Sequence, residues 1–77
     1  MKELVEHIVK AIVDDPAQVQ VTEVVTGVDV LVELRVAPAD MGRVIGKQGK
    51  VISAMRLLVQ VVATREAKRA QLELVED

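Results

Sequence analysis

A chain of 77 residues has room for one domain, and at this size folding hides only about 60 % of the unfolded surface, so any core is thin. The sequence holds no Phe, Tyr, Trp or Cys, which excludes aromatic stacking platforms, disulfides and thiolate chemistry and leaves Val, Ile, Leu, Met and Ala to fill the interior. The formal charge of −2 argues at first sight against a polyanionic ligand.

The elements follow in chain order. Leu4, Val5, Ile8, Ala11 and Ile12 recur at helical spacing opposite Glu3, Glu6, Lys10 and Asp14, which predicts an amphipathic helix over 2–14 ended by Asp15-Pro16. Residues 18–26 mix β-branched and polar side chains. Beyond them Val28, Val30, Val32, Leu34 and Val36 alternate with Asp29, Leu31, Glu33 and Arg35, the pattern of a half-buried strand, and Gly27 between the runs suggests a tight antiparallel hairpin. Pro38-Ala39-Asp40 leads into a short helical turn over about 42–45, followed by a glycine-containing loop and a helix over about 50–64. A last strand alternates Ala70, Leu72 and Leu74 with Arg69, Gln71 and Glu73. The order is α-β-β-α-α-β, an α+β domain over 1–77 with a three-stranded sheet packed against helices, and without repeats or linkers.

The most informative stretch is Val44-Ile45-Gly46-Lys47-Gln48-Gly49-Lys50-Val51-Ile52. Two glycines three apart allow turned backbone and close approach of a ligand, and the loop can present the first amides of the next helix to a phosphate. Lys47 and Lys50 add positive charge, which points to a phosphodiester. Charge distribution supports this. From Met41 to Arg65 there is no acidic residue, while Arg43, Lys47, Lys50, Arg56 and Arg65 are basic; the other residues hold five basic against twelve acidic side chains, a balance of −7. A nucleotide-binding P-loop is excluded because Gly42 to Lys47 is one residue short and Gln48 stands where Ser or Thr would hold magnesium. The dinucleotide fingerprint fails because position 44 is Val.

With its preceding Val-Ile pair, its basic residues and Ile52 three positions beyond Gly49, the stretch resembles the hallmark of the KH domain, whose GxxG loop clamps about four nucleotides of single-stranded RNA. The run from Arg35 to Arg43 and the chain length resemble the small bacterial single-KH proteins of the KhpA type. The resemblance implies the type II KH arrangement, dimer formation, pairing with a larger KH-containing protein, and a role as RNA chaperone or post-transcriptional regulator. It also implies a binding site in which Gly46 and Gly49 shape the loop. Lys47, Lys50 and the amides near Lys47 to Gly49 would hold phosphates, Gln48 would be exposed beside them, and Arg43 would steer or contact the backbone. Val44, Ile45 and Ile52, with strand residues near Leu34 to Val36, would floor a groove for bases.

The helix that follows the loop is too apolar for one sheet. Lys50, Ser53, Arg56, Gln60 and Thr64 form its polar arc, while the apolar residues from Val51 to Ala63 cover about 240°, against the ~100° that a surface helix needs. The surplus is a candidate subunit interface, with Met55, Val59 and Val62 as its residues. Hence a second reading, a protein-interaction module in which RNA is incidental.

Catalytic groups are scarce. His7 is the only histidine and lacks companions for a metal site, Asp14-Asp15 reads as a helix-end pair, and Ser53 has no base partner, so neither an enzyme nor a cofactor or metal is expected. No stretch approaches the ~20 apolar residues of a membrane span and the first residues lack a signal-peptide pattern, so a soluble, cytoplasmic protein without membrane insertion is expected.

Overall fold

The computed structural model describes residues 1–76. Helix α1 (Lys2–Ile12) is followed by a 3₁₀ turn (Pro16–Gln18) and by strands β1 (Gln20–Thr26) and β2 (Asp29–Arg35). A second 3₁₀ turn (Pro38–Asp40) leads to α2 (Met41–Ile45), then the loop turn (Lys47–Gly49), α3 (Lys50–Arg65) and β3 (Arg69–Leu74). The sheet order is β1-β2-β3, with β1 and β2 antiparallel and β2 and β3 parallel. The predicted hairpin is present, with Thr26 opposite Asp29 across a two-residue turn at Gly27 and Val28.

Helix α1 is shorter than its periodicity predicts. It stops at Ile12, with Val13 extended, because the amides of Asp14 and Asp15 donate to the carboxylate of Asp40 at 3.0 and 3.1 Å rather than continuing the helix. Its buried ridge is Val5, Val9 and Val13, at steps of four residues; Leu4, Ile8 and Ile12 flank it, and Ala11 lies on the solvent side.

All the helices lie on one face of the sheet. Val30, Val32 and Leu34 of β2, Ala70 and Leu72 of β3 and Val21 of β1 point to it and are buried under Val5 and Val9 of α1, Val44 of α2, and Ile52, Met55, Val59 and Ala63 of α3. The alternation along β2 and β3 sends Asp29, Glu33, Gln71 and Glu73 to the opposite face, where Glu33 stands beside Glu73 in the parallel register. On β1, an edge strand, only Val21 is buried; Val24 and Val25 are exposed, as is Val28 in the turn.

The face that α3 turns to the sheet is a correction to the sequence reading. Met55 and Val59, expected in an interface, are 3 % and 2 % exposed and pack on the sheet, while Val62 is half-buried at the margin. The large apolar residues left in solvent are Leu57, Leu58 and Val61, which lie with Ala54 on the side away from the sheet. Periodicity showed how wide the apolar arc is, but not which part of it meets the strands.

Candidate nucleic-acid interface

The site begins where α2 ends. The Gly46 amide donates to the Gly42 carbonyl at 2.9 Å, and Gly46 then turns to φ 76°, ψ 172°, a conformation open to glycine alone. Space makes the same demand: a Cβ at Gly46 would stand 2.4 Å from Cγ2 of Val51 and 2.9 Å from its backbone nitrogen. The loop thus folds directly against the first turn of α3. Gln48 and Gly49 follow in left-handed conformations at φ 57° and 73°, and around Gly49 there is open space.

The loop is braced from within. The Gly49 amide donates to the Gly46 carbonyl at 3.1 Å, and the Lys50 amide donates to the Lys47 carbonyl. Of the amides expected to face phosphate, that of Gly49 is therefore engaged inside the loop. What the loop displays is its tip: the side chains of Lys47, Gln48 and Lys50 are exposed, and among the described residues no acidic side chain pairs with either lysine.

The expected apolar floor is only partly accessible. Val44 is fully buried and Ile52 is 6 % exposed, both within the core, so they support the loop from below and do not touch a ligand in this conformation. Each sits where helical geometry turns it towards the sheet. Ile45 and Val51 are half-buried at the core's margin and supply the apolar surface next to the loop. Of the strand residues, Leu34 is buried, whereas Arg35 and Val36 line an open groove of about 500 Å³ with Gln18, Gln20, Pro38 and Met41 at the other end of α2.

The basic side chains differ in what they meet. Arg56 donates through Nε to the carbonyl of Leu72 at 3.1 Å, tying α3 to β3. Arg43 contacts Asp14 at 3.0 Å through a terminal nitrogen and approaches Asp40 at 3.8 Å through Nε. Sequence reasoning missed Asp40 altogether. It is 2 % exposed, and its two oxygens accept the Asp14 and Asp15 amides, fixing the end of α1 against the start of α2. The one local signal, an Asp just ahead of a helix, suggests a cap for α2, yet its side chain caps nothing there. His7 is exposed, and among the described residues no cluster of side chains suits a metal ion.

A helix and a strand ahead of a β-α-α-β unit, with a GxxG loop joining its two helices and a sheet that pairs first antiparallel and then parallel, define a KH domain of type II. The family model of the KhpA/KhpB KH domain matches residues 2–74, and the chain belongs to that family. The sequence resemblance thus holds over nearly the whole chain. The chain is 47 % identical over 75 residues to the RNA-binding protein KhpA of Clostridium acetobutylicum, covering 97 % of this chain and all of that protein. It is 48 % identical over 75 residues to KhpA of Caldanaerobacter subterraneus, with the same coverage. To KhpA of Aquifex aeolicus it is 41 % identical over 76 residues, 99 % of this chain and 96 % of the other. No solved structure matches the chain. The family is not one of enzymes, which agrees with the meagre catalytic inventory. Among the described residues no helix is long and apolar enough to cross a membrane.

Proposed function

We propose that this chain is a single KH unit that binds single-stranded RNA with modest affinity and little sequence preference, acting in the bacterial cytoplasm as an RNA chaperone or post-transcriptional regulator. The observation that carries the reading is the loop. Gly46 and Gly49 hold Lys47, Gln48 and Lys50 out into solvent at the start of α3, where no acidic side chain among the described residues neutralises the two lysines. The name RNA-binding protein KhpA, borne by the relatives, supports it. Binding rests on phosphates and on packing against Ile45 and Val51, because without aromatic residues the chain forgoes the ~1–3 kcal/mol that stacking contributes per base.

The test is replacement of Lys47 and Gln48 together by Asp. Both side chains are exposed, and Asp tolerates the left-handed conformation at position 48 better than most residues. Fluorescence anisotropy with labelled, unstructured RNA should show binding abolished, while circular dichroism stays unchanged. Lost helicity would instead make the loop a structural element, and full retention of binding would move the site elsewhere.

A second reading is favoured by the exposure of Leu57, Leu58 and Val61, at 61, 47 and 50 %. These residues form an apolar stripe suited to a second copy or to a larger KH-containing protein, either of which would raise the effective concentration of RNA sites. If the stripe binds a partner and the loop variant loses nothing, the protein-interaction reading replaces the first.

A further inference from the structure

The segment from Met41 to Arg65 lacks acids in sequence but not in space. The fold brings the end of α1 against α2, and the carboxylate of Asp14 reaches a terminal nitrogen of Arg43 at 3.0 Å, three residues ahead of Gly46. We propose that the Asp14–Arg43 ion pair is an autoinhibitory latch on the RNA site: a phosphate arriving beside the loop recruits Arg43 only by displacing the carboxylate of Asp14. The inference rests on the RNA-binding reading and adds to it a device that sets its affinity.

Three observations point to a latch rather than a structural strap. The joint between α1 and α2 is made by the buried side chain of Asp40 on the backbone amides of Asp14 and Asp15, so it does not need the Asp14 side chain. The pair itself lies in solvent, with Arg43 55 % and Asp14 74 % exposed, where an ion pair is weak and exchanges readily. Finally, Arg43 Nε stands 3.8 Å from Asp40, too far for a hydrogen bond, so Asp14, at 3.0 Å, is the carboxylate in close contact with the guanidinium. Release of Asp14 frees the terminal N–H donors of a planar guanidinium, of the kind that suits a phosphate. Of the five cations in this segment, Lys47, Lys50 and Arg65 meet no acid among the described residues and Arg56 donates to the Leu72 carbonyl, so Arg43 is where a carboxylate controls access.

The experiment is a double-mutant cycle of Asp14→Asn and Arg43→Gln, read by anisotropy of a labelled oligouridylate at low salt. Asp14→Asn should tighten binding about two- to fivefold, the range that an exposed ion pair allows. Arg43→Gln should weaken binding, and Asp14→Asn should then bring no gain. A gain that persists without Arg43 would reduce the effect to the general field of a removed charge and overturn the latch, as would no gain in the single variant. In either case the RNA reading stands if the Lys47→Asp, Gln48→Asp variant has lost binding. Absence of binding by the unaltered chain would remove the RNA reading and the latch together. A second readout needs no substitution: the signal of the Arg43 terminal N–H groups, which face Asp14, should move in ¹H–¹⁵N spectra as RNA is added. Loop amides that shift while that signal stays fixed would also overturn the latch.

Discussion

A methyl group added at Gly46 or at Gly49 tests two different demands. At Gly46 both the backbone conformation and the Val51 main chain oppose it, so Gly46→Ala should destabilise the fold by about 2–4 kcal/mol. At Gly49 the space is open and only the left-handed φ opposes it, for about 1–2 kcal/mol. Urea denaturation of the two variants should rank them in that order; equal effects would mean that the contact with Val51 carries no weight. Asp40 belongs to the same scale. Asp40→Ala strands the part-buried amides of Asp14 and Asp15 and should lower stability by about 1–3 kcal/mol in the same measurement, although position 40 only ends a three-residue 3₁₀ turn. The glycines could be read from the sequence because their chemistry is local. Asp40 could not, because its partners lie 25 and 26 residues away.

Among the elements, α3 has two apolar sides with different duties. Ile52, Met55, Val59 and Ala63 fasten it to the sheet, whereas Leu57, Leu58 and Val61 face water. Val59→Asp should therefore prevent folding, since it places a carboxylate in the core without a partner. Leu57→Ser with Val61→Ser should leave the circular dichroism spectrum intact and eliminate any self-association that the unaltered chain shows in analytical ultracentrifugation. Persisting association would place the interface elsewhere, and the exposed hairpin residues Val24, Val25 and Val28 would be the next to test. The sequence revealed the excess of apolar surface on this helix, but it assigned Met55 and Val59 to the wrong side. An arc of about 240° offers more than one rotation that buries a stripe, and the choice is made by the connections to α2 and β3.

For the whole molecule the question is how an acidic chain can hold RNA. The fold separates charge: Asp29, Glu33 and Glu73 lie on the open face of the sheet, while the loop with Lys47 and Lys50 stands at the junction of α2 and α3. Local charge should then govern binding. With three or four phosphates engaged, log K should fall against log salt with a slope of about −2 to −3. An anisotropy titration at several salt concentrations measures it, and a slope near zero would remove the electrostatic basis of the reading.

By itself the sequence determined what depends on near neighbours: the order of helices and strands, the hairpin at Gly27, the GxxG loop, the acid-free basic stretch and the family. Periodicity and turn chemistry act within a few residues, so these features are written where they occur. Only the tertiary structure decided matters that join distant segments. It laid β3 parallel to β2, drew Val44 and Ile52 beneath the loop rather than beside a ligand, and turned Leu57, Leu58 and Val61 outward. It also set Asp14 against Arg43, because Asp40 ends α1 at Ile12 and holds the next residues beside α2. Each of these depends on how segments distant in sequence pack and hydrogen-bond together, which is a property of the whole chain.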